Sequence, residues 1–146
     1  MKKVVAAGVV LYRMNKKGAY EYLLLQHTHG VQHWSFAKGK REGDESLCDC
    51  ARRELLEETG LKVDLDEDFL ARVTYESMDT REGQCKKTAY FFLGHVVGKR
   101  VRLSHEHADY VWLPYEKARK RLTHDSMKCV LDKAYSTVTA FAKLRG

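Results

Sequence analysis

Residues 39–61 read GKREGDESLCDCARRELLEETGL and carry more structural information than any other part of this chain. Glu54, Glu57 and Glu58 stand at positions i, i+3 and i+4. Because an α-helix turns about 100° per residue, their carboxylates leave one side of a helix, where like charges repel. A hard divalent cation such as Mg²⁺ reverses that interaction, since it binds carboxylate oxygens and shares its other positions with phosphates. The spacing therefore predicts a helix with a cation-binding face.

The same segment has an apolar face and candidate helix ends. Leu47, Ala51 and Leu55 recur at i, i+4 and i+8, beside the acidic arc, which predicts a half-buried helix. Ser46 and the acidic residue three positions later resemble an N-terminal capping pair, and Gly60 is well placed as a left-handed C-cap. We expect the acidic arc to lie at the edge of the core.

Hydrophobic patterning outside this helix predicts a layered domain. We expect strands at residues 4–12, 20–26, 61–63, 69–77, 88–97 and 110–113, and helices at 115–122 and 126–144. Residues 36–43 are expected to form a basic, glycine-punctuated loop in which Lys38 approaches a phosphate chain. Mixed strands around an internal helix, followed by a C-terminal helix, predict a three-layer α/β domain spanning residues 1–146.

Composition limits the classes of function. The chain has 146 residues, 44% hydrophobic and 32% charged, as is typical of a soluble globular domain, and a net charge of +6 that suits a polyanionic ligand. No run reaches the roughly 18 apolar residues that a membrane span needs. The four cysteines lack zinc-finger spacing, which favours buried or semi-buried thiols in a reducing compartment. We expect a cytoplasmic monomer, with a nuclear or mitochondrial address left open.

The glutamates are joined to other residues at fixed offsets: Gly39, Glu45, Arg53, Gly60 and Leu61. The complete pattern, G-x5-E-x7-R-E-U-x-E-E-x-G-U with U a bulky aliphatic residue, resembles the signature of the Nudix hydrolases. This resemblance implies a Nudix α/β/α sandwich with a mixed β-sheet. It also implies hydrolysis of a nucleoside diphosphate linked to another group, with Mg²⁺ or Mn²⁺ as the cofactor.

The resemblance also implies roles for individual residues. Glu54, Glu57 and Glu58 would bind the metal ions, and Glu54 or Glu57 would instead serve as the general base. Glu106, outside the helix, would supply a further carboxylate as metal ligand or base. The remaining motif residues would be structural, with Arg53 pairing with a carboxylate of the motif and holding the loop; they are Gly39, Glu45, Arg53 and Gly60.

Two histidines flank Glu106. His105 and His107, at i and i+2, suggest a zinc site. Carboxylate and phosphate oxygens are hard ligands, however, so a phosphate-binding site rich in glutamate favours Mg²⁺. We therefore expect magnesium, with manganese as a substitute.

Segments outside the motif resemble one subfamily, the asymmetrical diadenosine tetraphosphate hydrolases. These segments are residues 20–26 with 33–34, residues 87–91, and residues 103–107 with 110–113. The resemblance implies a dinucleoside polyphosphate substrate, cut to ATP and AMP. Candidate phosphate contacts are His33, Lys38 and Lys87, and His33 could instead stack on a base. Candidate adenine platforms are Tyr75, Tyr90, Tyr110 and Tyr135.

The sequence is also compatible with other functions. Residues 34–40 with 49–51 resemble mRNA-decapping Nudix enzymes, which indicates a pyrophosphohydrolase for RNA 5′ ends or diphosphoinositol polyphosphates as an alternative. A Nudix-fold module that binds RNA or protein without catalysis is a third hypothesis. The complete set of glutamates argues against it, because a noncatalytic protein has no need to keep mutually repelling carboxylates together. With no long basic run, we expect no stable nucleic-acid partner.

Overall fold

The computed structural model describes residues 1–28, 32–79, 81, 83–105 and 107–145. These residues form strands and helices in the following order. The elements are β1 (Lys2–Met14), β2 (Tyr20–His27), β3 (His33–Ser35), β4 (Ala37–Lys40), α1 (Leu47–Thr59), β5 (Leu65–Asp79), β6 (Gly83–His95), β7 (His107–Leu113), α2 (Tyr115–Arg121) and α3 (Asp125–Arg145).

The strands form one mixed sheet in the order β3-β2-β1-β6-β5, with β4 beside β1 and β7 beside β2. β1 runs parallel to β6, from Lys2 opposite Cys85 to Tyr12 opposite His95, and the other pairings are antiparallel. The apolar run of β1 reflects this central place, because a strand covered on both faces needs apolar residues on both.

Helices cover both faces of the sheet. Val9 and Leu11 of β1 pack in one buried cluster with Leu55 of α1, whereas Val10 belongs to a second cluster with Leu131 of α3. Alternate residues of a strand face opposite sides, so β1 contributes to both layers. The predicted α/β/α sandwich with a mixed β-sheet is confirmed. Although α3 has 21 residues, neither it nor another helix in the described ranges is long and apolar enough to cross a membrane.

Two local predictions are wrong. Residues 61–63 form no strand, because antiparallel pairing starts at Leu65 opposite Gly94, and β6 ends one residue later at His95. Part of the expected loop at 36–43 is strand β4, with Gly39 opposite Ala7. This pairing depends on Gly8, where a Cβ would stand 2.2 Å from the Ala37 carbonyl oxygen.

The cysteines differ in exposure. All four thiols are free; Cys50 and Cys85 are buried and Cys48 is half-buried, as expected. Cys129 is exposed on α3, so the expectation of a buried thiol is wrong there. Helix α3 buries one face only, and Cys129 lies beside that face rather than on it.

Candidate active site

The ends of α1 set the direction in which its glutamates point. Ser46 is the N-cap, and its Oγ accepts a hydrogen bond of 3.0 Å from the Asp49 N–H. Gly60 ends the helix at φ +73°, where its N–H donates to the Leu56 carbonyl at 2.9 Å. Glycine adopts this left-handed conformation at little energetic cost, because it has no Cβ. Both predicted caps are confirmed, and they fix the helical positions of the glutamates.

Arg53 ties the helix to the segment before it. Its Nε and Nη2 donate to the two carboxylate oxygens of Glu45 at 3.0 and 2.7 Å, and Nη2 also donates to the Lys40 carbonyl at 3.0 Å. Nη1 donates to Glu54 at 2.9 Å and lies 3.3 Å from Glu57. The hydrogen bonds from Arg53, followed by one from the Glu42 N–H, lower the pKa of Glu45 to about 2. The implied pairing of Arg53 with Glu45 is present.

Glu54 lies against the backbone of β4. A Cβ on Gly39 would stand 2.0–2.2 Å from the carboxylate atoms of Glu54, so the glycine makes room for that group. Burial, followed by the negative charge of Glu58, raises the pKa of Glu54 to about 7, while Arg53 opposes the rise. A carboxylate with this pKa can accept a proton near neutral pH.

Glu58 is 4% exposed and is held on both oxygens. Oε2 accepts the Lys38 N–H at 3.0 Å, and Oε1 lies 3.3 Å from His107 Nε2. Burial raises the pKa of Glu58, while His107 and Lys38 oppose the rise. Burial lowers the pKa of the Lys38 ammonium, and the charges of Glu58 and Glu54 oppose that change. The carboxylates and this lysine therefore share one low-dielectric environment.

A histidine pair extends the site behind Glu58. His107 Nε2 lies 3.1 Å from His27 Nδ1, and His27 Nε2 lies 3.1 Å from the Phe36 carbonyl oxygen. His107 Nδ1 lies 3.0 Å from Ser104 Oγ. Burial is the main cause that lowers the pKa of His27 to about 2, which keeps its ring neutral. Sequence reasoning paired His107 with His105, but His105 is exposed and the partner comes from β2.

The carboxylate set fits a hard divalent cation. The negative charge of Glu58 is one cause of the raised pKa of Glu54, and such repulsion between carboxylates is relieved by a cation as well as by a proton. The donor atoms of His27, Glu58 and His107, all within 4.8 Å of one another, form a second group that could hold a metal ion. Glu106, the predicted additional ligand, lies outside the described residues.

The predicted substrate residues divide into separate groups. Lys38 lies beside Glu58, and the ring of His33 stacks on His27 at 4.9 Å, so both belong to the carboxylate site. Lys87 lies opposite Tyr75 in the sheet. The structure therefore places the first pair with the glutamates and the second on neighbouring strands β5 and β6.

The candidate platforms do not form one surface. Tyr90 is three residues from Lys87 on β6, so it faces the opposite side of the sheet. Tyr135 stacks on Tyr115 with ring centroids 3.9 Å apart and is 38% exposed. Tyr110 of β7 is 39% exposed. Sequence reasoning missed Tyr115, whose position two residues after β7, at the start of α2, carried no signal of the stack.

A cavity of about 750 Å³ also borders α1. Leu56, Val97 and the basic residues Lys62 and Lys99 are among its lining residues, and none of the three motif glutamates is. Cavity volume therefore does not mark the carboxylate site, which is identified by its charges and hydrogen bonds.

Comparison with known proteins agrees with the geometry. The family model of the NUDIX domain matches residues 2–133. The asymmetrical bis(5'-nucleosyl)-tetraphosphatase of Sus scrofa is 31% identical over 147 residues, covering 94% of this chain and 97% of the relative. The protein of the same name from Caenorhabditis elegans is 31% identical over 141 residues, covering 94% and 99%. The crystal structure of a C. elegans Ap4A hydrolase binary complex has a TM-score of 0.80 at 28% identity, covering 94% of this chain and 98% of that one.

The family match spans most of the chain, and the motif that it includes is intact from Gly39 to Leu61. The helix caps, the Arg53–Glu45 pair and the clustered glutamates supply the physical basis of that motif. The chain therefore belongs to the Nudix family and is a Nudix pyrophosphohydrolase.

Proposed function

We propose that this chain hydrolyses diadenosine tetraphosphate asymmetrically, to ATP and AMP, with Mg²⁺ or Mn²⁺ bound by Glu57 and Glu58 and with Glu54 as the general base. The observation that carries the proposal is the buried, mutually repelling pair of carboxylates Glu54 and Glu58 beside Lys38. The similarity to asymmetrical tetraphosphatases over 94% of the chain supports the choice of substrate.

The hydrolysis requires a group that accepts the proton of the attacking water and positive charge that neutralises the phosphates. Water attacks a phosphorus away from the centre of the phosphate chain, its oxygen forms the new P–O bond, and the bridging P–O bond breaks toward the departing nucleotide. Glu54, with its pKa raised to about 7, accepts the proton from the attacking water. When bound, the ion supplies charge neutralisation of the phosphates and a lower pKa for water.

The remaining residues hold the substrate and the loop. Lys38 places an ammonium beside the carboxylates, where it would contact phosphate oxygens as a point charge. Lys87 and His33 would contact the outer phosphates, and Tyr135 would stack on one adenine. Arg53 holds the loop through Glu45 and limits the movement of Glu54.

Product analysis in labelled water tests the reaction. The purified chain with Mg²⁺ and diadenosine tetraphosphate is expected to give ATP and AMP in equal amounts by chromatography, with one water oxygen in one of the two products. ADP as the sole product would remove the asymmetrical assignment. No turnover with Mg²⁺ or Mn²⁺ would contradict the whole proposal.

Matched glutamine variants test the metal ligands. Glu57→Gln and Glu58→Gln are expected to lower kcat/KM by more than about 100-fold, beyond what loss of an outer-shell partner typically costs. Glu67→Gln, an exposed glutamate on β5, is the control and is expected to keep the wild-type rate. Circular dichroism checks folding. If both site variants kept near-full activity, the assignment of metal ligands would be wrong.

A substrate panel compares the alternative reactions. Residues 34–40 resemble decapping enzymes, so capped RNA, triphosphorylated RNA and inositol pyrophosphates are assayed beside the dinucleotide. We expect the highest kcat/KM for diadenosine tetraphosphate. A higher value for any other substrate would replace the proposed one, and tight RNA binding without turnover on the panel would indicate a binding module.

A further inference from the structure

We propose that His27, Glu58 and His107 form a binding site for a borderline transition-metal ion, with Zn²⁺ as the best fit. The three side chains come from β2, α1 and β7, so only the folded chain brings them together. This site differs in ligand chemistry from the all-carboxylate face proposed for Mg²⁺. Binding of the ion does not depend on the proposed hydrolysis of diadenosine tetraphosphate.

Two of the three distances between donor atoms are close to those around a tetrahedral ion. Around zinc with bonds of about 2.0–2.1 Å, neighbouring ligand atoms lie about 3.3–3.4 Å apart. His107 Nε2 is 3.1 Å from His27 Nδ1 and 3.3 Å from Glu58 Oε1, and all three donor atoms lie within 4.8 Å of one another. Small side-chain rotations would place an ion between them and leave a fourth position for water.

The outer hydrogen bonds orient both imidazoles. A carbonyl can only accept, so the contact of His27 Nε2 with the Phe36 carbonyl places the ring hydrogen on Nε2 and the lone pair on Nδ1. His107 Nδ1 faces Ser104 Oγ, a hydroxyl that can either donate or accept. Histidine ligands of metals typically donate their second ring N–H to such an oxygen, which fixes the tautomer.

Without an ion, His107 Nε2 faces two possible acceptors at once. His107 Nε2 lies 3.1 Å from His27 Nδ1 and 3.3 Å from Glu58 Oε1, and one ring hydrogen cannot be donated fully to both. An ion satisfies all three atoms together. With an ion on Nε2, the ring hydrogen of His107 stands on Nδ1, where Ser104 Oγ can accept it.

The donor set selects the class of ion. Two imidazole nitrogens and one carboxylate suit Zn²⁺ and its neighbours in the first transition row, whereas Mg²⁺ prefers oxygen ligands. His107 and Glu58 have side chains 2% and 6% exposed, so bulk water competes little for the ligand positions. Glu58 belongs to both sets, so an ion held by the histidines would alter the magnesium face.

Metal binding to the chelator-stripped full chain tests the site without any substrate. Zn²⁺ titrated by calorimetry in excess Mg²⁺ is expected to bind with a stoichiometry of one. Co²⁺ is expected to give the visible absorption of a four- or five-coordinate nitrogen and oxygen site. A sulfur-to-cobalt charge-transfer band would assign the ion to cysteine instead and would overturn the proposal.

Matched variants locate the ion. His27→Gln and His107→Gln are each expected to weaken Zn²⁺ binding by more than about 10-fold, and Ser104→Ala by about 10-fold through loss of the outer hydrogen bond. His124→Gln, a histidine outside the cluster, and Glu57→Gln, which alters only the glutamate face, are expected to keep wild-type affinity.

Three results would overturn the proposal. The first is wild-type Zn²⁺ affinity in both histidine variants, and the second is loss of binding in Glu57→Gln alone. The third is an absence of saturable binding, which would show that the three residues form a hydrogen-bonded network only. If the variants fail to fold by circular dichroism, zinc-edge X-ray absorption of the wild-type chain decides the question. Two imidazole ligands without sulfur support the site, and any other ligand set contradicts it.

Discussion

The contact between Gly39 and Glu54 gives a sharp test of how the catalytic carboxylate is placed. Gly39 does not have positive φ, so its backbone accepts alanine. The new Cβ, however, would stand 2.2 Å from both carboxylate oxygens of Glu54, about 1.2 Å short of the 3.4 Å at which ordinary contact begins. The Glu54 carboxylate must move by that distance, away from the position where it accepts a hydrogen bond of 2.9 Å from Arg53 Nη1.

A shift of this size should affect the reaction far more than the fold. Misplacement of a reacting group by about 1 Å can cost about 100-fold in rate, so Gly39→Ala is expected to lower kcat/KM on diadenosine tetraphosphate by that factor. The assay is chromatographic product formation with Mg²⁺, beside thermal unfolding. If Gly39→Ala acts through Glu54, it should add little in a Glu54→Gln background.

Gly43→Ala, four residues after Gly39 and outside strand β4, is the matched control. Gly43 has φ +54° and no atom lies within 4 Å of the position that a Cβ would take, so alanine there strains the backbone without touching the site. It is expected to cost about 1 kcal/mol of stability and leave kcat/KM near wild type. A folded Gly39→Ala variant within about 3-fold of wild-type kcat/KM would refute the reasoning.

Three further predictions concern stability and substrate binding. The pKa of Glu54 rises from 4.5 to about 7 on folding, so between these pH values the folded protein binds a proton that the unfolded chain has lost. The free energy of unfolding therefore falls as pH rises from 4.5 to about 7. Glu54→Gln in EDTA should therefore melt higher than wild type at pH 8, and fluorimetry should show that gain vanish below pH 4.5; a gain independent of pH would contradict this. Gly60→Ala, at φ +73°, should lose about 1 kcal/mol in urea unfolding and Gly60→Asn less; equal losses would argue against the left-handed cap. Tyr135→Ala should raise KM by about 10-fold with kcat kept, as loss of a base stack would, and Tyr135→Phe should not; an unchanged KM would exclude Tyr135 as a platform.

Local features of the fold were predictable because their causes lie close together in the chain. The caps at Ser46 and Gly60 act within one helical turn, and the 3.6-residue period alone places Glu54, Glu57 and Glu58 on one side of α1. Strand pairing was harder to foresee. The interruption at 61–64 depends on where β6 ends, and β4 depends on how closely Gly8 lets another strand approach.

The sequence by itself determined the helix, its acidic face and the family to which that pattern belongs, because periodicity, capping and like-charge spacing are short-range properties. Only the tertiary structure decided what surrounds Glu58. His27 and His107 are 80 residues apart and meet because β2 and β7 pair in a register that places one opposite the other. Such a register depends on the packing of the whole sheet, so the pairing of these histidines could not be read from the spacing of residues along the chain.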